Sequence, residues 1–300
     1  MLQINRVLCP VDFSEFSRHA LDHAVAIARQ YDGRVTALYV IPPVVSLIPS
    51  AESPLYPPVV YTEADMTQFR DELDRFVREE CEGCPVDTLV TEGSPVAEIV
   101  RQSVELKADL VVLGTHGRSG FERLVLGSVT ERALRKLACP VLTVPPRAPD
   151  AVPSTPELYK RILCAVDFSP SSMRALAVAS SFAKEGDADL LVLHVVESMP
   201  VFEPVPMGGP GGTDYEQVAR AAAKVRLREV VPADVRASCE VTEVVAGGKP
   251  YREILRAAAE QHAEVIVVGA HSGAAGLLAF GSTLNHVVRE STCPVLTVRA

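Results

Sequence analysis

The sequence has no surplus of positive charge, no long apolar run and no disulfide-like arrangement of cysteines, and each absence removes a class of protein. Its 29 Lys and Arg are outnumbered by 38 Asp and Glu, giving a net charge of -9. Phosphate backbones are bound through surplus lysine and arginine, so nucleic acid is not expected as a partner. The longest uncharged stretch, Val35 to Ala51, is broken by Pro42, Pro43 and Pro49. Proline removes a helical hydrogen bond and clashes with the preceding turn, so this stretch is no spanning helix and no membrane partner is expected. The opening residues, MLQINRVLCPVD, contain no apolar core of a secretory signal. Seven cysteines, an odd number scattered over 300 residues, suit a reducing compartment better than a disulfide framework. The expected location is cytoplasmic.

What is present is a repeat. RVLCPVDFSEFSRHAL (Arg6 to Leu21) matches RILCAVDFSPSSMRAL (Arg161 to Leu176) at an offset of 155, and TEGSPVAEIV (Thr91 to Val100) falls on AGGKPYREIL (Ala246 to Leu255). After one deletion the offset is 154, and CPVLTV at Cys139 to Val144 recurs at Cys293 to Val298. A repeat of that length means one domain per copy. The Pro-rich PPRAPDAVPSTPE, Pro145 to Glu157, reads as a stiffened connection. The division is residues 1–146, a linker at 147–158, and residues 159–300.

Within the first copy the hydrophobic period alternates. Val7 to Val11, Val35 to Val40, Val86 to Thr91, Leu110 to Leu113 and Val141 to Val144 read as strands. Between them, a helix runs from Phe16 with Ser14 as N-cap and Gly33 as stop, another from Glu63 to Glu82, a third opens at Ser94-Pro95, and a fourth spans Ser128 to Leu137. Strands apolar without alternation belong to a parallel sheet covered on both faces. The expected fold is α/β: two tandem doubly wound, Rossmann-like domains, each with a five-stranded parallel sheet. Ligands of such sheets sit beyond the carboxyl ends of the strands, where the strand order reverses.

The residues after the fourth strand are GTHGRSGFERLVLGS, Gly114 to Ser128. This is neither GxxxxGK[ST] nor GxGxxG. Gly114 and Gly117 permit close backbone approach, Arg118 and Arg123 can neutralise phosphate, and Gly127-Ser128 starts a helix whose free N–H groups favour an anion. A ligand-free alternative stays open, because Ser128-x-x-Glu131 is also a capping box.

The spacing Gly114-x2-Gly117-x9-Gly127-Ser128, with Val11-Asp12 and Cys139-Pro140-Val141 in order around it, resembles the nucleotide-binding branch of the universal stress protein family, in tandem. The resemblance covers nearly the whole chain, apart from the linker and the loops after the second strands. It implies a cytoplasmic, non-enzymatic stress-response protein whose ATP occupancy tunes conformation or partner binding, with ATP as cofactor, with or without magnesium. It implies nucleotide contacts at Pro10, Asp12, Val40, Leu113, Gly114, His116, Gly117, Arg118, Gly127, Ser128 and Val129. Asp12 would meet the nucleoside, the Val40 backbone the adenine, and the glycine loop the phosphates. In that family the last strand commonly mediates dimerisation, so the two domains are expected to pair, with a homodimer as a further expectation.

The second copy reads GAHSGAAGLLAFGS, Gly269 to Ser282: Ser272 replaces a glycine and no Lys or Arg remains. A weaker site is expected there, at Asp167, Val195, Gly269, His271, Gly281, Ser282 and Thr283, with Lys249 as a compensating cation. The Cys81-x-x-Cys84 pair lacks a second pair for zinc and follows a helix, against a thioredoxin-type role. Two rivals stand beside the regulatory reading: an adenylate-forming or slowly ATP-hydrolysing enzyme, and a nucleotide-free dimerisation scaffold. The enzyme is disfavoured because phosphoryl transfer wants a lysine and metal carboxylates that the strand ends do not offer.

Overall fold

The computed structural model describes residues 4–43, 61–78, 86–116, 126–146, 159–197, 212–270 and 281–299. The first copy runs β1 (Arg6–Val11), α1 (Glu15–Gln30), β2 (Arg34–Ile41), α2 (Glu63–Arg78), β3 (Val86–Glu92), α3 (Pro95–Glu105), β4 (Leu110–Gly114), α4 (Ser128–Lys136) and β5 (Val141–Val144). The second runs β6 (Arg161–Ala165), α5 (Pro170–Gly186), β7 (Asp189–Val196), α6 (Gly212–Val230), α7 (Ala233–Ser238), β8 (Val241–Gly247), α8 (Pro250–Glu260), β9 (Val265–Ala270), α9 (Ser282–Glu290) and β10 (Val295–Arg299). The linker expected at 147–158 and the Cys81–Cys84 pair lie outside the described residues, as does the end of the helix expected to reach Glu82.

Among the described residues one sheet contains all ten strands, in the order β3-β2-β1-β4-β5-β10-β9-β6-β7-β8. Each half is parallel throughout and doubly wound, with its order reversing between β1 and β4 in one copy and between β6 and β9 in the other. The halves meet at β5 and β10, which pair antiparallel with Leu142 opposite Leu296.

The unbroken apolar strands are explained by burial on both faces. Along β1, Val7, Cys9 and Val11 enter a core with α1 and α2, whereas Leu8 enters the opposite core with α3 and α4. Both cores continue into the second copy, the first through Ala175, Leu176 and Phe182 of α5, the other through Ile254 of α8 and Val287 of α9. Each fully buried Leu or Ile contributes about 1.5–3 kcal/mol by leaving water. Across the joint, Tyr159 Oη lies 2.9 Å from His23 Nδ1, a buried polar contact between the copies. Burial, with the neighbouring His19 second, holds the His23 pKa down to about 3.

Two details differ from the expected boundaries. Helix α1 does begin on Ser14, whose side chain accepts from the Ser17 N–H. At its end Asp32, not Gly33, takes the left-handed turn, at φ 52, while the Gly33 N–H closes the helix on the Ala28 carbonyl at 2.8 Å. Gly33 is needed for a different reason, since a Cβ there would stand 2.4 Å from the Ile4 carbonyl oxygen. Helix α4 is capped by Gly127, so Ser128 is its first helical residue. The capping box fails because Ser128 lies one position too far along to accept from the first turn, and Glu131 bonds Arg135 at 2.8 Å instead.

Candidate functional site

The site begins with a turn that local propensity disfavours. Directly after β1, Asp12 Oδ1 accepts the Ser14 N–H at 3.1 Å, while the Asp12 N–H donates to Ser17 Oγ at 3.3 Å. Between them Phe13 is held at φ 63, a conformation side chains rarely adopt. Its ring is clamped by Tyr39 at 4.5 Å and Phe76 at 5.5 Å. The second copy repeats the device with Phe168 at φ 64, packed against His194 at 4.5 Å and Arg226 at 4.2 Å. Such strain persists only where packing over-determines it, and here it fixes the carboxylate at the strand end.

A second group of contacts ties the end of β4 to the start of α4. The Gly127 N–H donates to the Thr115 carbonyl at 2.8 Å, and Thr130 Oγ1 donates to the Gly114 carbonyl at 2.7 Å. His116 is buried, with Nδ1 2.9 Å from Thr115 Oγ1 and its ring 5.6 Å from Phe16. Its Nε2 is buried and has no hydrogen-bond partner among the described residues. Because Gly127 is the cap, no side chain among the described residues closes the α4 N-terminus.

These two groups face one cleft of about 320 Å³ at the switch point between β1 and β4. Of the expected residues, Pro10, Asp12, Val40, Leu113, Gly114, His116, Gly127, Ser128 and Val129 line it; Gly117 and Arg118 lie outside the described residues. Ser17, Tyr39, Pro95, Ile99 and Thr130 also line it and were missed. The DFS triplet shared by both copies was the available signal for the strained turn, and SPVAEI carries Ile99 on the inward face of α3.

The second copy forms the equivalent cleft, about 270 Å³, with Asp167, Val195, Gly269, Gly281, Ser282 and Thr283 among its lining and His271 outside the described residues. Leu284 stands where the first copy has Thr130, so the hydroxyl tie to the strand end is lost. Lys249 is exposed and does not line the cleft, so the compensating role considered for it is not met.

Comparison with known proteins decides the family: the model of the "Universal stress protein family" matches residues 3–145 and again 158–299. The chain belongs to that family. As a tandem universal stress protein it is 32% identical over 212 residues to universal stress protein Rv2005c of Mycobacterium tuberculosis, covering 69% of this chain and 66% of that one. It is 29% identical over 302 residues to a universal stress protein of Mycolicibacterium smegmatis, covering 98% and 96%. Universal stress protein MJ0531 of Methanocaldococcus jannaschii matches at 36% over 143 residues, 46% of this chain and 81% of that one. In fold, the crystal structure of a universal stress protein from Archaeoglobus fulgidus is similar with a TM-score of 0.67 at 23% identity, covering 99% of this chain and 97% of the other. These relatives are named as stress proteins rather than as enzymes. Among the described residues no helix is long and apolar enough to cross a membrane, and no three metal-binding side chains converge.

Proposed function

We propose that this universal stress protein is a cytoplasmic ATP-binding regulatory module, its first copy carrying the tighter site and its nucleotide occupancy tuning conformation or partner binding. The observation that carries the reading is the opening of α4 on Gly127, within the same cleft as Asp12. A helix that begins without a side-chain cap presents backbone N–H groups and the positive end of its dipole, which favour an anion such as phosphate. The residues fit the ligand in two further respects. A Cβ at Gly127 would already stand 3.2 Å from the Thr115 carbonyl, so the backbone lies open where a side chain has little room. The buried His116 Nε2 lacks a partner among the described residues, as a group reserved for a ligand would.

In this reading Asp12 accepts from the nucleoside, the Val40 backbone meets the adenine, and Gly114, Gly127, Ser128 and Val129 surround the phosphates, with His116, Gly117 and Arg118 beside them and magnesium as an accessory. ATP contributes its binding energy and, once bound, a charge that the first turn of α4 offsets. The described lining offers one carboxylate and no lysine, which favours binding over phosphoryl transfer. Pairing of the copies through β5 and β10 serves the module internally, and a homodimer is a further part of the proposal. The test is calorimetry of the purified chain with ATP, together with identification of any ligand released on denaturation. Saturable ATP binding to the first copy is expected; no binding there overturns the proposal in favour of a nucleotide-free scaffold.

A further inference from the structure

The second cleft repeats the architecture of the first but not its charge. Among the described residues lining the first cleft, Asp12 is the one acidic side chain. The second is lined by two, Asp167 and Glu197. Glu197 follows β7 directly, and the repeat places it against Pro42, so this carboxylate is particular to the second copy. Neither lining has a Lys or Arg among its described residues, so Glu197 is the charge that distinguishes the two clefts. The remaining wall is largely apolar, formed by Leu193, Val195, Ile254, Val268 and Leu284.

Two carboxylates on the cleft, both solvent-exposed, repel a polyphosphate through water. Both are acceptors, suited to hydroxyl donors. In doubly wound nucleotide-binding sheets an acidic residue one helix and strand beyond the first turn accepts from ribose hydroxyls, whereas an arginine nearby accommodates a phosphate on the ribose. Glu197 occupies that kind of position relative to Asp167, one helix and one strand further along.

We infer that the second cleft is a nucleoside site. It takes an adenine nucleoside whose 5′ substituent is neutral or cationic, with the ribose hydroxyls donating to Glu197 and Asp167, and it rejects ATP. The inference rests on reading both clefts as nucleoside-binding, and it makes the two copies different in ligand rather than only in strength.

The experiment uses the full chain. Parent protein saturated with ATP should still bind one equivalent of adenosine by calorimetry; absence of that second event overturns the inference. On an Asp12→Ala/Gly127→Val background, which disables the first cleft, adenosine should bind at least about tenfold more tightly than ATP, about 1.4 kcal/mol in affinity. Adding E197K should shift the preference toward ATP, and E197Q should weaken adenosine. ATP binding as tightly as adenosine in the second cleft, or a preference unchanged by E197K, overturns the inference. The two failures are distinguishable: adenosine failing while the parent binds ATP removes only the nucleoside assignment. ATP failing in the parent removes the proposed function.

Discussion

Gly127 and Gly281 are one position in two copies, and the difference between them gives a controlled perturbation. Both cap a helix with ordinary backbone, φ -56 and φ -55, so an L-residue meets no conformational strain at either. Space is what differs. A Cβ at Gly127 would stand 3.2 Å from the Thr115 carbonyl oxygen, whereas at Gly281 it meets nothing within 4 Å among the described residues. The Thr115 carbonyl is not free to withdraw, because it accepts the Gly127 N–H at 2.8 Å. Gly281→Ala should therefore leave stability within about 0.5 kcal/mol, because the less flexible unfolded state offsets the poorer N-cap that Ala makes. Gly127→Ala should cost more through crowding, and Gly127→Val should cost about 1–3 kcal/mol, the usual penalty for overpacking. At about 2–4 °C per kcal/mol, the Val variant melts several degrees low but folded. The decisive reading is its response to ligand. ATP at a hundred times its Kd should stabilise the parent by about 2.7 kcal/mol. Gly127→Val should lose that increment, because its methyls stand where phosphate would approach the α4 N-terminus. The assay is thermal melting with and without ATP, with the second cleft silenced by Asp167→Ala in every sample. Full ATP-dependent stabilisation of Gly127→Val would falsify the phosphate cradle and leave the glycine stretch a structural turn. A Gly281→Ala variant destabilised as much as Gly127→Ala would refute the steric argument.

Three other substitutions have distinct expected outcomes. Asp12→Ala should weaken ATP binding by about 1.5–3 kcal/mol, the range for hydrogen bonds to charged groups. Asp12→Asn, which keeps an acceptor for the Ser14 N–H, separates that loss from damage to the turn: equal affinity in both variants and parent would make Asp12 purely structural. Ser128→Ala should change stability by no more than about 0.5 kcal/mol in urea unfolding, because Ser128 is not the cap; a loss near 1 kcal/mol would restore the capping box. Acid sensitivity should trace to His23, whose folded pKa of about 3 lies below its ordinary 6.5 through burial first and His19 second, against Asp22. The unfolded chain takes up a proton that the folded chain refuses, so stability is lost as pH falls from about 6.5 toward 3, by about 1.4 kcal/mol per pH unit at most. His23→Phe/Tyr159→Phe, which removes both partners, should flatten unfolding free energy over that window; an unchanged slope refutes the assignment.

The strands and the order of elements were legible because double-sided burial leaves a plain mark. Val7 to Val11 and Leu110 to Leu113 are apolar at every position since alternate residues feed opposite cores. Helix starts were less legible. Ser14 caps α1 as its sequence suggests, and Ser94 occupies the N-cap of α3 without its side chain bonding the turn. At α4 the serine lies one residue inside the helix, because the tie between the Gly127 N–H and the Thr115 carbonyl sets where the helix can begin. That tie is tertiary, so the local S-x-x-E pattern carried no information about it. Phe13 was missed for a related reason: a single phenylalanine does not signal positive φ, the recurrence of DFS in both copies was the local cue, and Tyr39 and Phe76, distant in sequence, pack its ring there. Glu197 escaped notice because its counterpart is Pro42, and a reading built on matches between copies passes over positions that differ.

The antiparallel joint has a consequence for how the two clefts relate. Each half is parallel within itself, so the reversal between β5 and β10 sets every strand of one copy against every strand of the other. Ligand clefts of doubly wound sheets lie at the carboxyl ends of their strands. The clefts of Asp12 and Asp167 therefore open at opposite ends of the strands of one continuous sheet, and a single small ligand cannot bridge them. A ligand proposed for one cleft would therefore have that copy's residues to hold it. What the copies do share is the joint. Arg299, at the carboxyl end of β10, donates to the Leu134 carbonyl near the end of α4, the helix whose first turn lines the first cleft. A part-buried contact thus connects the strand ends of one copy to the far end of the helix that opens on the other copy's cleft, while the two clefts stay apart.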